Sequence, residues 1–78
     1  MKFPRNVSAH RLIRALGHLG YHVVRQRGSH LRLRHDGPPA HTITVPCHNP
    51  LKTGTLHGIL SEVAHVRSTT IESIIGLL

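Results

Sequence analysis

The chain has one cysteine, no tryptophan, one phenylalanine, one tyrosine and three acidic residues among its 78 positions. Cys47 alone cannot form an internal disulfide, and Met1-Lys2-Phe3-Pro4-Arg5 lacks the apolar run of a secretory signal, so a cytoplasmic setting is expected. No apolar stretch approaches the roughly 20 residues that span a bilayer, so no membrane is expected among the partners. With only Phe3 and Tyr21 aromatic, the chain is poor in the stacking platforms that hold single-stranded nucleic acid, and the core must be built from Leu, Ile and Val. The length leaves room for a single domain, expected over residues 1–78, with a modest core.

What is abundant is positive charge. Ten Lys and Arg against Asp36, Glu62 and Glu72 give a formal net charge of +7 before any of the nine histidines is protonated. Excess charge of this kind attracts a polyanion without naming it, and both nucleic acid and an acidic protein fit.

Ser8 is placed to cap a first helix over residues 8–19, whose apolar positions Leu12, Ile13, Leu16 and Leu19 recur at helical spacing, with Gly20 as its stop. Residues 21–26 read as a strand, although the adjacent Val23 and Val24 obscure which face is buried. After a tight turn at Arg27-Gly28-Ser29, residues 30–35 alternate: Leu31 and Leu33 fall on one face, His30, Arg32 and Arg34 on the other. Asp36-Gly37-Pro38-Pro39 is a turn, and residues 42–46 alternate again with Ile43 and Val45 inward. Thr53 or Thr55 is expected to cap a second helix with the stripe Leu56, Ile59, Leu60 and Val63. A last short helix starts at Thr69 and Glu72, spaced as a capping box, and carries Ile71, Ile74, Ile75 and Leu78 on one side, to pack on the domain or on a partner. The expected fold is therefore α+β: helix, three antiparallel strands, helix, and a short extra C-terminal helix.

The residue with chemical potential is His30. Cleaving RNA requires the ribose 2′-OH to lose a proton as it attacks phosphorus, and a neutral imidazole accepts protons near pH 7. Gly28 and Ser29 before it let the backbone approach a phosphate, and Arg32 and Arg34 on its face can hold the anion. Read alone, Gly-Ser-His fits an exposed strand histidine beside solvated arginines better than it fits a catalytic one. Pairing Ser29 as a nucleophile with one of the three acids places none of them persuasively. A metal site from His18 with His22, or from Cys47 with His48 and His57, lacks the paired close ligands that zinc sites use, so neither metal nor other cofactor is expected. The lone thiol, without a paired base, reads as a bystander.

The pattern Leu12-Ile13-Arg14-Ala15-Leu16, Gly20-Tyr21, Val24 to His30, Val45-Pro46-Cys47-His48 and Leu51-Lys52-Thr53-Gly54-Thr55-Leu56 resembles the HicA family of bacterial toxin ribonucleases, one half of type II toxin–antitoxin pairs. The resemblance covers about residues 8–65 and leaves 66–78 as an unmatched helical tail. It implies the fold of a double-stranded-RNA-binding domain, cleavage of mRNA, and silencing by a HicB-type antitoxin that covers the active surface. It also implies a catalytic role for His30, with Gly28 and Ser29 shaping the motif. The matches at Pro46 and His48 and at Lys52 to Thr55 imply RNA contact or loop geometry; for the leaving 5′-oxygen, His48 and water both remain open as proton donors. The expected function is thus a metal-independent endoribonuclease toxin with His30 as general acid/base and with Arg32, Arg34, His48 and Lys52 as RNA-binding residues. The alternative is a small basic domain that binds structured RNA without cutting it.

Overall fold

A computed structural model describes residues 3–78, so Met1 and Lys2 of the expected domain lie outside the described residues. The first helix, α1 (Ala9–His18), starts where the Ser8 side chain accepts a hydrogen bond from the Arg11 amide at 3.1 Å, and it buries Ala9, Leu12, Ala15 and Leu16. It stops because Leu19 caps it and Gly20 turns the chain at φ +102°, a conformation that favours glycine.

Three strands follow, β1 (His22–Arg27), β2 (His30–His35) and β3 (His41–Pro46), as an antiparallel sheet in the order β1-β2-β3. Leu33, Ile43 and Val45 are buried on the face that α1 and the second helix cover, while Arg32, Arg34, Thr42 and Thr44 are exposed on the other. The expected alternation in β2 and β3 is therefore what the sheet displays. β1 differs: all six of its residues are exposed, and a bulge falls between Val23 and Arg25, leaving Val24 without a partner on β2.

The second helix, α2 (Thr53–Val66), lies on β3 and buries Leu56, Leu60 and Val63, with Ile59 half-buried. Neither Thr53 nor Thr55 caps it. Lys52 is the N-cap and makes no side-chain cap bond, because Leu51 is buried and tied by its amide to the Val7 carbonyl at 2.8 Å, which starts the helix one residue early. The last helix, α3 (Ile71–Ile75), is also shifted by one. The Thr69 amide bonds back to Ala64, closing the end of α2 through Ser68 at φ +54°, so Thr70 caps α3 by accepting from the Ser73 amide at 3.1 Å. The capping box of Thr69 and Glu72 does not form. Ile74 is fully buried, and Ile71, Ile75 and Leu78 rest on the same core, so the tail packs on the domain itself.

A polar layer closes one side of the core. The Tyr21 hydroxyl bonds to His41 Nδ1 at 2.6 Å, and His41 Nε2 bonds to Glu62 at 2.6 Å. His35 Nδ1 accepts from the Gly37 amide at 2.9 Å and from Arg67 at 2.5 Å, while Arg67 also reaches the Pro39 carbonyl. Two of the histidines are thereby committed to architecture.

Candidate nucleic-acid interface

Gly28 takes φ +57° as the first of two residues joining β1 to β2, the primed-turn geometry that matches the twist of paired strands. A two-residue turn makes its flanking residues partners, so Arg27 stands opposite His30. Gln26 Nε2 donates to the Gly28 carbonyl at 3.3 Å, and the Ser29 carbonyl accepts from the Cys47 amide at 2.6 Å, so side chain and neighbouring loop both hold the turn.

From that pairing the outer face of the sheet can be read outward. Arg25 pairs with Arg32 and Arg32 with Thr44, so those residues share a face with Arg27 and His30. Arg25, Arg27, His30, Arg32 and Thr44 line one open groove of about 230 Å³. The imidazole of His30 is exposed there among three guanidinium groups, an arrangement suited to holding a phosphate beside a proton acceptor. None of the three acids lines the groove: Asp36 pairs with Arg34 at 3.1 Å, Glu62 with His41, and Glu72 sits in the first turn of α3.

The expected site residues are not all brought together. Arg32 lies beside His30. Arg34 is on the same face further along β2 but turns to Asp36 and is not part of the groove wall. Gly28 and Ser29 form the turn at the groove's end. Lys52 is exposed at the start of α2, outside the groove, and His48 borders a different cleft.

Arg25 and Arg27 escaped the sequence reading. Their signal was present: a two-residue turn at Gly28-Ser29 pairs Arg27 with His30, and alternation then adds Arg25. The obstacle was Val23-Val24, where strict alternation back from Arg27 would put both Val23 and the arginines on the outer face.

A family model described as HicA toxin of bacterial toxin-antitoxin matches residues 9–64, which runs from the start of α1 through nearly all of α2. The chain belongs to the HicA toxin family. It is therefore the toxin of a toxin–antitoxin system, and the family match contains every residue of the arginine groove. Comparison with curated proteins and with solved structures returned no match. Among the described residues, no helix of this HicA toxin is long and apolar enough to cross a membrane.

Proposed function

We propose that this toxin is an endoribonuclease that cuts mRNA with His30 as the general base. The observation that carries this reading is the exposed imidazole in a groove walled by Arg25, Arg27 and Arg32. The arginines hold phosphates on either side of the cut, and the neutral His30 ring takes the proton of the ribose 2′-OH. The freed 2′-oxygen attacks the adjacent phosphorus, the bond from phosphorus to the 5′-oxygen breaks, and that oxygen takes a proton from water, whose hydroxide is neutralised by the proton that His30 releases. The products are a 2′,3′-cyclic phosphate and a 5′-hydroxyl. Because the nucleophile belongs to the substrate, no step calls for a metal-bound hydroxide.

A protein that acts on mRNA works in the cytoplasm. A groove this basic also suits an acidic inhibitor, and a HicB-type antitoxin that lays carboxylates over Arg25, Arg27 and Arg32 would exclude RNA by occupying its phosphate positions.

The test is to incubate the chain and His30→Ala with a long single-stranded RNA in EDTA and map the ends. Cutting by the parent alone, with RNA binding kept in the variant, supports the reading. A second reading, passive RNA binding, has one observation in its favour: no second acid or base lines the groove. Binding without cutting by either protein would select it.

A further inference from the structure

We propose that the cleft between the start of α1 and the loop after β3 is a pocket for one unpaired nucleobase of the bound RNA. This rests on the RNA-directed reading of the neighbouring groove.

The cleft has a volume of about 320 Å³, near the lower end of the roughly 300–1,000 Å³ of small-ligand pockets. Its apolar wall is Ala9, Ile13 and Leu31, and its rim carries His10, His48 and Asn49. That division suits a heterocycle, with an apolar surface for the flat ring and groups that donate and accept hydrogen bonds for its edge. The rim is preformed: the His48 carbonyl accepts from the Ala9 amide at 3.2 Å, and the His48 amide donates to the Pro46 carbonyl at 2.8 Å.

Stacking has few other sources in this chain. Tyr21 is buried and bonded to His41, and Phe3 lies against His57 at 5.3 Å between ring centroids. The exposed imidazoles of His10 and His48 are the planar rings at this cleft.

Position relative to His30 decides the ligand. His30 pairs with Pro46, so the β1–β2 turn and the exit of β3 into residues 47–50 lie at the same end of the sheet. Leu31, next to His30 in the chain, points to the opposite face and lines the cleft. An RNA strand whose phosphate sits in the arginine groove reaches this cleft by passing over that end of the sheet. The base it inserts would select where the chain is cut.

The experiment follows amide shifts in NMR of the parent chain while nucleosides and then ribose 5-phosphate are added at millimolar concentration. Nucleosides should shift Ile13, Leu31, His48 and Asn49, whereas ribose 5-phosphate should shift Arg25, Arg27 and Arg32. Carboxamidomethylation of the exposed Cys47, on the cleft wall, should abolish the first set of shifts and leave the second. In the otherwise intact chain, the double variant His10→Ala, Asn49→Ala, both exposed and outside the groove, should change the pattern of cut sites. Nucleoside shifts confined to the groove, or absent, would overturn the proposal whether or not the protein cuts RNA. An unchanged cut pattern in a double variant that still cuts would overturn it as well. A parent that binds nucleosides in the cleft but cuts nothing would leave the pocket standing and remove the nuclease reading.

Discussion

Arg27 on β1 stands directly opposite His30 on β2, with only Gly28 and Ser29 between them in the chain. The pair is built by the turn, so neither partner can leave the outer face without opening the hairpin. From it follows an ordering of the arginines. Arg27→Ala and Arg25→Ala should each weaken RNA binding by roughly tenfold and reduce the salt dependence of log K by about 0.7, one phosphate contact on a single strand. Arg34→Ala, which removes a side chain already engaged by Asp36, should cost less than about threefold. Titrations at several salt concentrations check this; equal losses at Arg34 and Arg27 would contradict the assignment of the groove.

The bulge offers a second test. Val24 has no partner on β2, and without it the pairs Val23 with Leu33 and Arg25 with Arg32 would be consecutive. A chain lacking Val24 should therefore fold, keep Arg25 and Arg27 on the outer face and bind RNA within about threefold of the parent, costing at most about 1 kcal/mol at an exposed site. Thermal melting and an RNA titration decide it. Loss of binding in a folded protein would mean that the bulge itself shapes the groove.

Gly20 and Gly28 both have positive φ but should respond differently to alanine. A Cβ on Gly20 would come within 2.8 Å of His35 Nε2, whose ring is held by Gly37 and Arg67. A Cβ on Gly28 meets nothing within 4 Å. Gly20→Ala should cost about 2–3 kcal/mol, and Gly28→Ala about 1–2 kcal/mol from backbone strain alone. At about 4–8 °C per kcal/mol for a domain of this size, the difference is readable by melting. Gly28→Asn, with a residue that tolerates this region, should recover part of the loss.

Alkaline stability reports on the polar layer. Burial pushes the Tyr21 hydroxyl above its ordinary pKa of 10.0, Arg67 pulls it down, and the Glu62 charge raises it further. The folded state therefore holds this proton more tightly than the unfolded chain. Its contribution is fully present below about pH 10 and is lost as pH rises through the higher folded value. Tyr21→Phe should lose about 1 kcal/mol at neutral pH with the bond to His41, and should show a weaker decline above pH 10 than the parent. Denaturant midpoints across that range check both parts; parallel curves for the two proteins would contradict them.

Much of the fold was legible because local rules and burial agreed. Leu12 and Leu16 in α1, Leu33, Ile43 and Val45 in the sheet, and Leu56, Leu60 and Val63 in α2 all occupy the positions that helical or strand periodicity assigned them. The caps of α2 and α3 were displaced by one residue or more, since caps answer to where the chain is tied. Leu51 is pinned to Val7, a contact that no short window of sequence contains, and the Thr69 amide is spent on Ala64 in closing α2.

By itself the sequence determined the order of elements, the face of β2 that carries His30 and the strong positive charge, because periodicity and composition act within a few residues. Tertiary structure alone decided which arginines join His30. Moving from Arg27 back to Val23, strict alternation keeps the arginines and Val23 on one face, whereas in the sheet Val23 pairs with Leu33, an inner-face residue, and the turn holds Arg27 beside His30. Both demands are met only if one residue leaves the ladder, and Val24 does. A one-residue slip in a period-two structure inverts every side chain beyond it, so the composition of the groove depended on pairing that only the assembled sheet could select.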